Sequence, residues 1–106
     1  MDTPKVLRKD EALDLVRRYK EVIAPRFNGQ AQVMMFGSYS KGKATPWSDI
    51  DVAVIVPKVE DSKWFDTSVA LGLDVDKVSL LIEPILLEKG EDSPIFREVM
   101  RTGIAV

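Results

Sequence analysis

The chain has 106 residues, 45% of them hydrophobic and 30% charged, with a net charge of −2, which suits one folded domain over residues 1–106 rather than a disordered tail or a core with a separate substrate domain. It holds no cysteine and no histidine, which excludes disulfide frameworks, thiolate nucleophiles, imidazole bases and most zinc sites, and leaves carboxylates and oxygen-loving metals. The slight net acidity offers nucleic acid no general attraction, and the lack of an apolar leader or a membrane-length apolar run gives a cytoplasmic expectation, with no membrane partner.

Ala12, Leu15, Val16, Tyr19, Val22 and Ile23 recur at steps of three and four, the period of a helix with one buried stripe, and Pro25 lies just past its expected end. Asn28-Gly29 signals a turn. Residues 33–36 then carry no polar side chain and suit a buried strand that runs straight into Gly37. Ser38 is placed to cap a short helical turn over 39–43, whose amides and basic side chains would favour an anion. Residues 45–48 read as a connecting loop, and 50–56, rich in β-branched residues and stopped by Pro57, as a second strand.

A second helix is expected over about 62–78, weakened in its middle by Gly72, where the segment is open to breaking in two. A third strand covers 80–87. Pro84 inside it implies an edge position or a bulge, because proline cannot donate to the sheet ladder. Ser93-Pro94 pairs a capping residue with proline at the first helical position, and Gly103 marks a stop, so 94–102 reads as a third helix and 104–106 as a last short strand. The chain shows no repeat, low-complexity tract or linker.

The chemistry concentrates between Phe36 and Val56. Gly37-Ser38 is followed, after ten residues, by Asp49-Ile50-Asp51 on an apolar run. Strand alternation turns Asp49 and Asp51 to one side while Ile50 and Val52 enter a core. Two neighbouring carboxylates repel as bare anions, so a cation between them, such as Mg²⁺ carrying a nucleotide triphosphate, gives the arrangement its sense. Glycine lets the backbone approach a phosphate closely, and the serine hydroxyl adds a donor. Taken alone, Asp-x-Asp also fits a turn cap or a solvated face; the preceding Gly-Ser is what favours the site. An EF-hand loop lacks its further oxygen ligands here, and a Walker loop lacks its Gly-Lys-Ser/Thr. Glu83 reads as an exposed or metal-facing residue, or as a charge that keeps an edge strand from pairing. Lys41 and Lys43 are triphosphate contacts or plain surface lysines. Trp47 is a loop anchor or a base-stacking platform, whereas Trp64 and Phe65 fit core or partner surface.

Phe36, Gly37, Ser38, Asp49 and Asp51, with Gly42 and Ser48, resemble the motif of the nucleotidyltransferase superfamily that includes DNA polymerase beta, most closely its minimal nucleotidyltransferases. The order of elements is similar over nearly the whole chain, and Ile82-Glu83-Pro84 looks like the third-carboxylate segment of small members. The resemblance implies an α+β fold of two layers, a small mixed sheet with helices packed on one face. It implies an enzyme that transfers AMP from ATP to an acceptor hydroxyl. Asp49, Asp51 and Glu83 would be the catalytic residues and the ligands of two Mg²⁺ ions, with Gly37, Ser38, Lys41, Lys43 and Ser48 around the nucleotide. It further implies a helical HEPN partner, a toxin whose tyrosine the chain modifies as antitoxin. Two other readings stay open: a non-catalytic, nucleotide-binding subunit that masks a partner, and transfer to a small molecule or an RNA end. Because a site this small lacks an acceptor domain, an apolar patch of Trp47, Trp64 or Phe65 is expected beside the carboxylates, covered by a partner or a second copy.

Overall fold

The computed structural model describes residues 5–106. Helix α1, Lys9–Ile23, begins where the Glu11 side chain accepts the Arg8 N–H at 2.9 Å, so an acidic group satisfies a free donor of the first turn. Its stripe buries Ala12, Val16, Tyr19 and Ile23. A single 3-10 turn, Ala24–Phe27, carries Pro25, and Asn28 and Gly29 follow with positive φ. Then come strands β1 (Gln32–Phe36) and β2 (Ile50–Val56), helix α2 (Asp61–Asp74), strand β3 (Ile82–Glu88), helix α3 (Pro94–Thr102) and strand β4 (Ile104–Ala105).

The strands form one mixed sheet in the order β3-β2-β1-β4. β1 pairs antiparallel with β2 and β4, whereas β2 and β3 run parallel because α2 carries the chain back along the sheet between them. Side chains alternate between the faces. Val33, Met35, Ile50, Val52, Val54, Val56, Ile82 and Leu86 pack with α1 and α2 in the larger core, and Met34, Ala53, Ile55 and Leu87 meet Val99, Ile95 and Phe96 of α3 in a smaller one. The α+β class and the small mixed sheet are those expected. The two long helices share one face, and α3 adds a short cover on the other because that face of β1, β2 and β3 is also apolar along part of its length.

β2 is buried from Val52 to Val56, and each of its valine and isoleucine side chains removed from water contributes about 1.5–3 kcal/mol. Two buried polar groups are satisfied. The Tyr19 hydroxyl donates to the Leu71 carbonyl at 2.7 Å, and Asp74, its side chain 3% exposed, accepts from Arg26 at 2.6 and 3.0 Å and from Lys77 at 3.1 Å.

Two elements differ from expectation. The second helix runs through Gly72, ends at Asp74, and continues as a 3-10 turn over Val75–Lys77. Residues 39–43 form no helix but a chain of tight turns, since Gly37 and Gly42 have φ of 74° and 70°, a left-handed conformation that breaks the helical run. Among the described residues no helix is long and apolar enough to cross a membrane.

Candidate active site

Strand register brings the motif together. Phe36 stands opposite Asp51 across the antiparallel β1–β2 pair, and Asp51 opposite Glu83 across the parallel β2–β3 pair. Asp51 has the parity of Ala53 and Ile55, and Glu83 that of Ile85 and Leu87, so both carboxylates rise from the face that α3 covers. That helix packs over Met34, Ala53, Ile55 and Leu87. Asp49 lies one residue before β2, and its carboxyl is within hydrogen-bonding reach of Glu83.

Gly37 closes the arrangement. At its position a side-chain carbon would overlap Asp51 Oδ2 and come within 3.1 Å of Asp51 Cγ, so the bare backbone after β1 lies directly against the carboxylate of β2. The turn beyond it is internally tied. Ser40 Oγ donates to the Gly37 carbonyl at 2.9 Å, the Lys41 N–H to the same carbonyl at 3.2 Å, and the Lys43 N–H to the Ser38 carbonyl at 2.9 Å. The buried Tyr39 hydroxyl accepts the Leu7 N–H at 3.3 Å. Ser38 follows Gly37 in the chain and is half-buried, with no side-chain hydrogen bond among the described residues.

Negative charge is in excess here. Contact with Asp49, by hydrogen bond first and charge second, pushes the Glu83 carboxyl above its ordinary value, with Asp51 a smaller contributor. Burial pushes Asp51 up, and the Asp49 charge adds to it. Oxygen donors with surplus negative charge fit a hard dication. Among the described residues the carboxylates are not gathered into a group of three that would hold a metal ion.

The remaining candidates are placed less directly. The Lys41 ammonium is paired with Glu98 of α3 at 2.6 Å. Lys43 is exposed and has no ion pair among the described residues. Ser48 closes its own loop, its Oγ accepting the Thr45 N–H at 2.8 Å and its N–H donating to the Thr45 carbonyl at 3.0 Å. Trp47 is 81% exposed, which ends its reading as a loop anchor. A cavity of about 680 Å³ lies elsewhere, beyond the C-terminal end of β2, lined by Arg26, Phe27, Lys58, Glu60 and Lys63 and by none of the motif residues.

A family model described as the nucleotidyltransferase domain matches residues 16–100, from the middle of α1 into α3. The chain belongs to that family. This nucleotidyltransferase is 26% identical over 98 residues to the Methanocaldococcus jannaschii protein named "Putative protein adenylyltransferase MJ0141", covering 91% of this chain and 99% of the relative. Its fold is similar to the crystal structure of a "putative nucleotidyltransferase" from Sulfolobus solfataricus, with a TM-score of 0.65 and 22% identity over 98% of this chain and 90% of that one. A toxin-antitoxin structure with AMP-PNP matches with a TM-score of 0.50 and 20% identity, over 93% of this chain and 72% of that one.

Sequence reasoning passed over three residues around the candidate site. Ser40 and Tyr39 brace the turn from within, and their only sequence signal is their place inside the motif. Glu98 lies 57 positions from Lys41 (98 − 41), and nothing in local spacing links the two.

Proposed function

We propose that this nucleotidyltransferase transfers AMP from ATP, with Mg²⁺, to a tyrosine hydroxyl of a helical HEPN-type protein and so acts as its antitoxin. The observation that carries the reading is Gly37, whose bare backbone lies against Asp51 on the neighbouring strand, because a phosphate-holding turn and an acidic metal site have to share one spot for this reaction. The relative named as a protein adenylyltransferase supports a protein acceptor.

Asp49, Asp51 and Glu83 would hold Mg²⁺, which when bound neutralises the phosphate charge and polarises the reacting phosphoryl group. The Gly37 and Ser38 amides and the Ser38 hydroxyl orient the phosphates. Glu83, exposed at the sheet edge, accepts the proton of the attacking hydroxyl. The new bond joins the acceptor oxygen to the α-phosphorus, the α–β phosphoanhydride breaks, and pyrophosphate leaves. No residue becomes covalently modified, in keeping with a chain without cysteine or histidine.

Incubation with labelled ATP, Mg²⁺ and the product of the neighbouring gene, followed by mass analysis, tests the transfer; the expected result is AMP on a tyrosine of that product. Labelling of a small molecule or an RNA end in its place would move the assignment to those acceptors. Asp49→Asn supplies a binding test by calorimetry. It should lose Mg²⁺-dependent ATP binding while the metal-free protein melts no lower than the parent, because the substitution removes repulsion from the cluster. Equal ATP affinity with and without Mg²⁺ in the parent would refute the site.

A further inference from the structure

The Lys41 side chain points away from the phosphate turn that its own backbone helps to form. Its N–H is fixed to the Gly37 carbonyl, yet its ammonium sits on Glu98 of α3. Glu98 is not left dependent on that lysine, because Arg101, three residues along the same helix, pairs with the other carboxylate oxygen. Lys41 first and Arg101 second hold the Glu98 carboxyl below its ordinary range. The pair stands close to the site: α3 covers the face from which Asp51 and Glu83 rise, and its last turn leads into β4, whose Ile104 pairs with Met35, two residues before Gly37.

With the Lys41 backbone anchored, rotation of its side chain alone decides whether the ammonium faces Glu98 or the turn. The two side chains are 38% and 30% exposed, so water screens the pair and its exchange costs little. A polyphosphate offers the lysine more negative charge than one carboxylate does. We propose that Glu98 is a positioning residue that parks Lys41 on α3 until nucleotide binds, and that the nucleotide's phosphates then take Lys41 over while Arg101 keeps Glu98 neutralised. The proposal rests on the reading that the Gly37-Ser38 turn holds those phosphates.

Calorimetry of the intact chain with Mg²⁺ and ATP, and with adenosine, tests it across the parent, Glu98→Gln, Arg101→Gln, Lys41→Ala and the Lys41→Ala/Glu98→Gln double variant. Glu98→Gln frees the lysine and should bind ATP about twofold to fivefold tighter. Arg101→Gln leaves Glu98 to Lys41 alone and should weaken binding by a similar factor. Both variants should bind adenosine as the parent does, and Glu98→Gln should have no effect once Lys41 is alanine. A purely structural ion pair would lower the melting temperature of both variants without shifting ATP affinity in opposite directions. Parent-like or weaker ATP binding by Glu98→Gln, or an effect that survives Lys41→Ala, overturns the proposal. If Glu98→Gln folds poorly, the opposite-signed Arg101→Gln carries the test. A parent that binds no ATP with Mg²⁺ overturns the reading of the site itself, and the proposal with it.

Discussion

Gly37 carries two requirements at once. Its φ of 74° suits glycine, and the space a side chain would fill belongs to Asp51. Alanine there has to adopt a left-handed conformation and displace a carboxylate of the site, so Gly37→Ala should destabilise the chain by about 1–3 kcal/mol and abolish nucleotide binding; a melting curve and a calorimetric titration measure the two effects. Gly42 shares the positive φ but faces open space, so the same substitution there carries the backbone cost alone. The sequence marks both glycines as members of one motif. Which of them is pressed against a carboxylate depends on the pairing of β1 with β2, which local spacing does not give.

Local chemistry made some elements legible. The β-branched run ending at Pro57 bounds β2, and Ser93, Pro94 and Gly103 bound α3, where Ser93 Oγ accepts the Phe96 N–H at 3.2 Å. In both cases the signal lies within the element. Residues 39–43 were not legible, because their shape is set by two glycines in left-handed conformations, by the Ser40 bond within the turn and by the tertiary bond of Tyr39. Pro84 was half legible. The edge position it implied is the one β3 occupies, and hydrogen-bond parity completes the explanation. The Leu81 carbonyl accepts the Ile50 N–H, and the Lys89 N–H donates to the Val56 carbonyl, so odd-numbered residues of β3 face β2 and even-numbered ones face outward. Proline at 84 therefore costs no ladder bond. The neighbouring outward donors are occupied too, Ile82 N–H by the Ser79 carbonyl and Glu88 N–H by Glu91 Oε1. Pro84→Val should thus keep the fold and its melting temperature but restore an outward donor, with more self-association on concentration by light scattering; a broken sheet by circular dichroism would contradict this parity.

Across the whole molecule, Asp74 joins the segment after α1 to the end of α2 through Arg26 and Lys77. The Arg26 hydrogen bonds are the main cause holding its carboxyl below the ordinary 3.8. A folded value below the unfolded one makes the contribution present above the ordinary carboxylate range and lost as pH falls through the lowered value. Asp74→Asn should cost about 2 kcal/mol at neutral pH, with the gap to the parent closing in strong acid, as urea midpoints against pH would show. The exposed apolar surface is the other feature of this scale. Trp47 and Leu80, 81% and 80% exposed, lie in the two loops joined by the bond from Ile50 N–H to the Leu81 carbonyl, next to Asp49. Phe65, Val69 and Leu73 repeat every fourth residue along the outside of α2, whereas Trp64 is half-buried against the larger core. If a partner covers the loops beside the site, Leu80→Ser should weaken its association about tenfold and leave ATP affinity unchanged, as pull-down titration and calorimetry would measure.

The carboxylates are mounted unequally. Asp51 belongs to β2, which has a neighbour on each side and no exposed edge, so its position yields only when the whole sheet opens. Glu83 belongs to β3, which has a neighbour on one side only and leaves the Leu86 N–H facing outward without a strand partner. Under the proposed reaction, one arm of the cluster is set in the interior of the sheet and the other on its rim, and an acceptor of different reach would be met from the rim.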